Sequence, residues 1–215
     1  MATEGNAGFW RSDIKEQIPV ILNLIIESWR TFTPPIKPKL YEPRINRKFC
    51  SHLRSHKNRF THLFKIWSHQ ELLSDEGELI GEPDILFSFD NSKDEDVYFA
   101  CECKFLNKTD KNGRWFSLAG EYIDEGVMRY INEKYSGGSN GGILGYVMDG
   151  DTNKAVKCIN EAIEKRKQNL AIEGEAELKK SSIRPECQQT RETKHLIRNG
   201  CFVVHHIFLP VMNRN

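Results

Sequence analysis

Two apolar runs of this chain, GEPDILFSFD (Gly81 to Asp90) and VYFACECKF (Val97 to Phe105), carry the residues best suited to chemistry. Asp84 stands at the head of the first, and Glu102 and Lys104 lie two residues apart in the second. Strand side chains alternate between faces, so Tyr98, Ala100, Glu102 and Lys104 share one face and Phe99, Cys101, Cys103 and Phe105 the other. A carboxylate and an ammonium on so apolar a strand are costly unless paired or used. If the runs pair through a turn at Asp90 to Asp96, Asp84, which follows Pro83, reaches the same neighbourhood. Two acids and a lysine brought together suit a divalent-cation site for phosphodiester chemistry, in which the ion activates a water and neutralises charge building on the phosphate. Hard oxygen donors indicate Mg²⁺ or Mn²⁺. Read without function, Glu102 and Lys104 are an exposed ion pair on an edge strand, worth about 0 to 1 kcal/mol.

Acid-x-Lys also occurs at Asp13-Ile14-Lys15, Glu177-Leu178-Lys179 and Glu192-Thr193-Lys194. Those three read as polar or helix-like, where residues two apart point away from each other. Only Glu102-Cys103-Lys104 ends a β-rich run with a Pro-Asp strand ahead of it. Pro83, Asp84, Glu102 and Lys104 in this setting resemble the PD-(D/E)xK, or restriction-endonuclease-like, nuclease superfamily. The resemblance implies a Mg²⁺- or Mn²⁺-dependent endonuclease acting on DNA, RNA remaining open, with Asp84 and Glu102 as metal ligands. It adds the backbone carbonyl of Cys103 as a ligand, and Lys104 to position the attacking water or stabilise the transition state. Relatives often carry a further acid on a helix ahead of the hairpin, and Glu42 fits that place; the helix dipole alone also favours an acid in a first turn. The run GEYIDEGVMRYINEKYS resembles the helix after the acid-x-Lys strand in many relatives, although the glutamine some of them carry there is absent. On it Tyr122, Gly126 and Arg129 share a face. Gly126 costs about 1 kcal/mol in a helix, which close backbone approach would justify. Arg129 either contacts phosphate or pairs with Glu125 one turn earlier.

The chain has 215 residues, enough for one domain with an ample core, and its net charge of +1 identifies no partner. The charge is unevenly spread. From Glu27 to Lys65 ten basic residues, Arg44, Arg47 and Lys48 among them, face two acids, a net of +8. From Ile66 to Val97 ten acids face one lysine, a net of −9. The basic block suits phosphate contact, or else is a solvated face balancing its acidic neighbour. Six scattered cysteines with no signal-peptide pattern read as free thiols in a reducing cytoplasm, packed rather than metal-bound. The longest apolar run, Ile18 to Ile26, is too short to span a membrane. His52 and His56, four apart, lack the glutamate of a metalloprotease helix and read as part of a basic face. His205 and His206 should point to opposite faces, one packed and one exposed.

The elements that must position these residues follow from periodicity. A helix capped by Ser12 or Asp13 runs to about Phe32, with Ile14, Ile18, Ile21, Leu22, Ile25 and Trp29 as its apolar stripe. After the TPPIKPK linker, a second helix spans about Glu42 to Lys57 with Ile45, Phe49 and Leu53 inward. A third helical piece is expected from Thr61 to about Leu73. The hairpin, a polar loop, a helix from about Ser117 to Tyr135, a Gly-rich turn at Gly137 to Gly142 and a strand Ile143 to Met148 come next. Asp151 caps a helix over about Asn153 to Leu170, a polar stretch EGEAELKKSS follows, and a strand Phe202 to Leu209 closes the order. The expectation is one α/β domain over 1–215, a mixed central sheet flanked by helices. Within it 1–40 forms an N-terminal helical extension and 41–215 a restriction-endonuclease-like core. With no separate reading module, sequence choice would be weak or supplied by a partner protein, and a homodimer is compatible. Such economy suits bacterial or mobile-element defence. The alternative is a catalytically inactive nucleic-acid-binding or protein-interaction subunit of the same fold.

Overall fold

The computed structural model describes residues 7–35, 42–57, 64–74, 76–89, 98–135, 138–198 and 200–211. Helix α1 (Ala7–Thr31) contains Pro19 and buries Ile18, Ile21, Leu22, Ile25 and Trp29, as the stripe predicts. Ser12 and Asp13 lie inside it rather than capping it, because burial of a stripe contributes more to a helix in a folded protein than its first residue does. Helix α2 (Glu42–Lys57) has the expected bounds and buries Ile45, Phe49 and Leu53 together with Asn46 and Cys50. Arg44, Arg47 and Lys48 are exposed on its outer face.

From Phe64 on, the expected third helical piece is not helical. Phe64–Ser68 is strand β1, and Leu72–Leu73 is β2, paired with β3 (Leu79–Gly81). In β1, buried Phe64 and Ile66 alternate with exposed Lys65 and Trp67, a period of two that suits a strand. The expected hairpin is β4 (Ile85–Phe89) with β5 (Tyr98–Leu106), antiparallel. Its turn at Asp90 to Asp96 lies outside the described residues, as do Thr61, Lys37, Lys39 and Arg59. A small ribbon, β6 (Lys108–Thr109) with β7 (Trp115–Phe116), occupies the polar loop. The helical run after it spans 119–131, shorter than expected: α3 (Ala119–Glu121), a π-helical stretch Tyr122–Val127, then α4 (Met128–Ile131). Glu133, in the left-handed region at φ 55°, follows its end.

Strand β8 (Asn140–Val147) takes in Gly141 and Gly142, so the turn before it is shorter than the glycines suggest. Helix α5 (Thr152–Leu170) is capped by Asp151, which accepts the Lys154 amide at 2.9 Å. β9 (Lys179–Lys180), β10 (Thr190–Ile197) and β11 (Gly200–Pro210) complete the order. Glu192-Thr193-Lys194 therefore lies in a strand, not in polar or helix-like surroundings.

The architecture is α/β, with a seven-stranded mixed sheet ordered β1-β4-β5-β8-β11-β10-β9 and helices on its two faces. β5, β8 and β11 are mutually parallel and the outer pairings antiparallel. Phe99, Cys101, Cys103 and Phe105 pack with α1 and α2. Tyr98, Ala100 and Leu106 pack with the 119–131 run and α5. The pleat of β5 thus sorts its side chains as the alternation requires. His205 and His206 are both buried, correcting the expectation of one exposed ring, because β11 is an interior strand covered on both faces. Tyr122 Oη lies 3.0 Å from His206 Nδ1. Thr193 Oγ1 lies 2.9 Å from His206 Nε2. Cys50, Cys101 and Cys103 are buried free thiols. Among the described residues no helix is long and apolar enough to cross a membrane.

Candidate active site

The site forms where β4 runs out. The pairing of β4 with β5 covers Ile85 opposite Cys101 through Ser88 opposite Tyr98, so among the described residues the β5 backbone beyond Cys101 has no partner strand on that edge. Buried backbone donors must be satisfied, and here side chains do it. Asp84 Oδ2 accepts the Cys103 amide at 2.8 Å, and Glu42 Oε2 accepts the Phe105 amide at 2.9 Å. Asp84 comes from the chain just ahead of β4 and Glu42 from the first turn of α2. Since the amide and carbonyl of one strand residue face the same edge, the Cys103 carbonyl turns toward Asp84 too.

Glu102 and Lys104 project from the opposite pleat face to Cys103, toward the 119–131 run. Glu102 is almost wholly buried, at 1% exposure. Its Oε1 accepts from the Tyr135 hydroxyl and from Arg129 Nη1 at 3.4 Å. Lys104 Nζ lies 3.8 Å from Glu42 Oε1 and 3.7 Å from Glu125 Oε2. Arg129 therefore pairs with Glu102, while its Nε donates to the Glu125 backbone carbonyl at 3.0 Å. The carboxylate of Glu125 goes to Lys104, so the expected Glu125–Arg129 side-chain pair does not form.

Burial pushes Glu42 up to about 7, against the pull of the Lys104 ammonium and with a further push from Asp84. Glu102 is pushed up to about 7 by burial and by the charge of Asp84. Asp84 is raised by burial in spite of the Cys103 amide and Lys104. Burial thus raises all three carboxyl groups, and each feels the charge of Lys104, which Glu42 meets directly at 3.8 Å.

The convergence is electrostatic rather than a finished ligand cage. Among the described residues no three His, Cys, Asp or Glu side chains are gathered to hold a metal ion. Each acid is engaged by the protein: Asp84 with Cys103 and Asn46, Glu42 with Phe105, and Glu102 with Tyr135 and Arg129.

Several contributors were not evident from motifs. Asn46 Nδ2 donates to Asp84 Oδ1 at 2.8 Å, and its buried Oδ1 has no partner among the described residues. Its position four residues after Glu42 puts both on one face of α2, a spacing that marks it once Glu42 is suspected. The Tyr130 hydroxyl accepts the Glu102 amide at 3.2 Å and lies 2.5 Å from the Gly142 carbonyl. Tyr135, 33 positions from Glu102, has no local signal. Gly126 has the role its sequence suggests: a Cβ there would lie 2.4 Å from Ile143 Cδ1 and 3.6 Å from Lys104 Cγ. His52 and His56 are taken up by structure, each 3.1 Å from Thr31 Oγ1.

No protein-family model matches the chain, and neither a curated protein nor a solved structure does.

Proposed function

We propose that this chain is a divalent-metal-dependent nuclease of the restriction-endonuclease-like type, hydrolysing DNA phosphodiester bonds. The observation that carries the reading is the edge of β5 left open by β4, where Asp84 Oδ2 accepts the Cys103 amide, Glu42 Oε2 accepts the Phe105 amide and Lys104 Nζ lies 3.8 Å from Glu42 Oε1. The donor set fits a hard cation. Asp84 and Glu102 would supply carboxylate oxygens, and the Cys103 carbonyl turns to the same edge as Asp84. Asn46 Oδ1, beside Asp84 and without a partner among the described residues, is one more hard oxygen. Such an ion, Mg²⁺ or Mn²⁺, would polarise the phosphate and activate water.

The remaining work falls to the protein. Lys104, tethered between Glu42 and Glu125, offers its ammonium to charge developing on the phosphate oxygens. Glu42, with its carboxyl at about 7, is poised to take a proton near neutrality. Arg44, Arg47 and Lys48, exposed on α2 near Glu42, suit the nucleic-acid backbone. A second reading, an inactive nucleic-acid-binding or protein-interaction subunit of the same fold, is favoured by one observation: every acid already has a protein donor.

Supercoiled plasmid separates the two. Nicking with Mg²⁺ or Mn²⁺ that is lost in a folded Lys104→Ala variant supports the nuclease. Binding without cleavage supports the inactive module, and neither activity supports an interaction subunit.

A further inference from the structure

Glu102, Arg129 and Tyr135 form a closed triangle. Arg129 Nη1 lies 3.4 Å from Glu102 Oε1 and 3.1 Å from the Tyr135 hydroxyl, which itself donates to the same Glu102 oxygen. One carboxylate oxygen thus receives two protein donors. The members differ in freedom: the Glu102 side chain is 2% exposed and that of Arg129 36%. The arginine is the partner with room to leave. Tyr135 is held from behind, since its ring packs on Gly81, where a Cβ would lie 2.9 Å from Cε1. Gly81 ends β3, three residues before Asp84. The tyrosine therefore touches both Glu102 and the segment leading to Asp84.

We propose that Arg129, steadied by Tyr135, is a positioning residue that occupies Glu102 in the ion-free protein and yields it when a divalent cation enters. The inference rests on the metal-dependent reading above. An oxygen that accepts from a guanidinium and a hydroxyl has little capacity left for a cation, so the contact and the ion compete. Competition is reciprocal: whatever weakens the triangle strengthens ion binding. The released guanidinium is then free for phosphate, one of the two roles its place in sequence suggests.

The test needs no substrate. Mn²⁺ binding is titrated by electron paramagnetic resonance of the free ion for the parent protein, Arg129→Gln, Arg129→Lys and Tyr135→Phe. Mg²⁺ is titrated while the Arg129 side-chain N–H signals are followed by NMR. Both Arg129→Gln and Tyr135→Phe are expected to bind Mn²⁺ about tenfold more tightly, with Arg129→Lys intermediate. Mg²⁺ should shift the Arg129 signals and speed their exchange with solvent. Tyr135→Phe is decisive because it removes a donor without changing charge, so a general field effect would not move it, and its ring can still pack at Gly81. Unchanged or weaker Mn²⁺ binding by Tyr135→Phe, or Arg129 signals that ignore Mg²⁺, overturns the competition and leaves the metal site standing. No Mn²⁺ binding by any form overturns both.

Discussion

Asp84 Oδ2 accepts the Cys103 amide hydrogen at 2.8 Å, fastening the head of β4 to the middle residue of Glu102-Cys103-Lys104. The two halves of the motif are joined through backbone, not through side chains that share a pleat face. Asp84 thereby completes the hydrogen bonding of a strand and also brings its charge beside Glu102. Asp84→Ala leaves the buried Cys103 amide without its acceptor and Asn46 Nδ2 without its own. A loss of about 1–3 kcal/mol is expected in urea unfolding. Asp84→Asn, which keeps an acceptor, should cost less stability and still lose plasmid nicking.

Stability should depend on pH through the raised acids. Glu42 and Glu102 move from 4.5 to about 7, so the folded form binds more protons than the unfolded chain between those values. The unfolding free energy of metal-free protein then falls as pH rises through about 7, by up to about 3 kcal/mol per group. His205, held down to about 4 by burial, contributes the opposite slope between about 4 and 6.5. The difference between parent and Glu102→Gln isolates the acid: relative to the parent, the variant should gain stability from pH 5 to 8 in urea melts. A constant difference across that range contradicts the raised carboxyl.

Gly126→Ala should destabilise the protein by about 1–3 kcal/mol through overpacking, since the new Cβ meets Ile143 Cδ1. Ile143→Val deletes that atom. The double variant should therefore recover part of the loss, and thermal unfolding of all four forms gives the coupling. Additive losses would show that the close approach is not what requires glycine.

The exposed basic face of α2 makes a salt-dependent prediction. Replacing Arg44, Arg47 and Lys48 together by Gln should weaken DNA binding and make the slope of log affinity against log salt shallower by about 3. Fluorescence anisotropy of a labelled duplex over a salt series measures it. An unchanged slope would place the backbone contact elsewhere.

Local pattern carried much of this protein. The α2 bounds, the Asp151 cap, the alternation of β5 and the need for a small residue at Gly126 are all readable along the chain, because each depends on neighbours within a turn or a pleat. Where two periodicities compete over a short run, local pattern misleads. Thr61 to Leu73 suggests a helix, yet Phe64 and Ile66 pack into the core with α1 and α2 while β1 pairs with β4, a partner some twenty residues away. The strand at Thr190–Ile197 is hidden in the same way, since its polar residues are buried by β11 and by hydrogen bonds such as Thr193 to His206.

Amino-acid order alone determined which acids and which lysine stand on the β4/β5 hairpin, and on which pleat face Glu102 and Lys104 lie. Tertiary structure decided what each one holds: Glu42 reaches Phe105 from 63 residues away, Lys104 rests between Glu42 and Glu125, and Arg129 pairs with the Glu102 carboxylate instead of that of Glu125. Side-chain alternation is a property of consecutive residues, whereas the partner of a buried charge is set by whichever distant segment the packing of both faces brings within hydrogen-bonding reach.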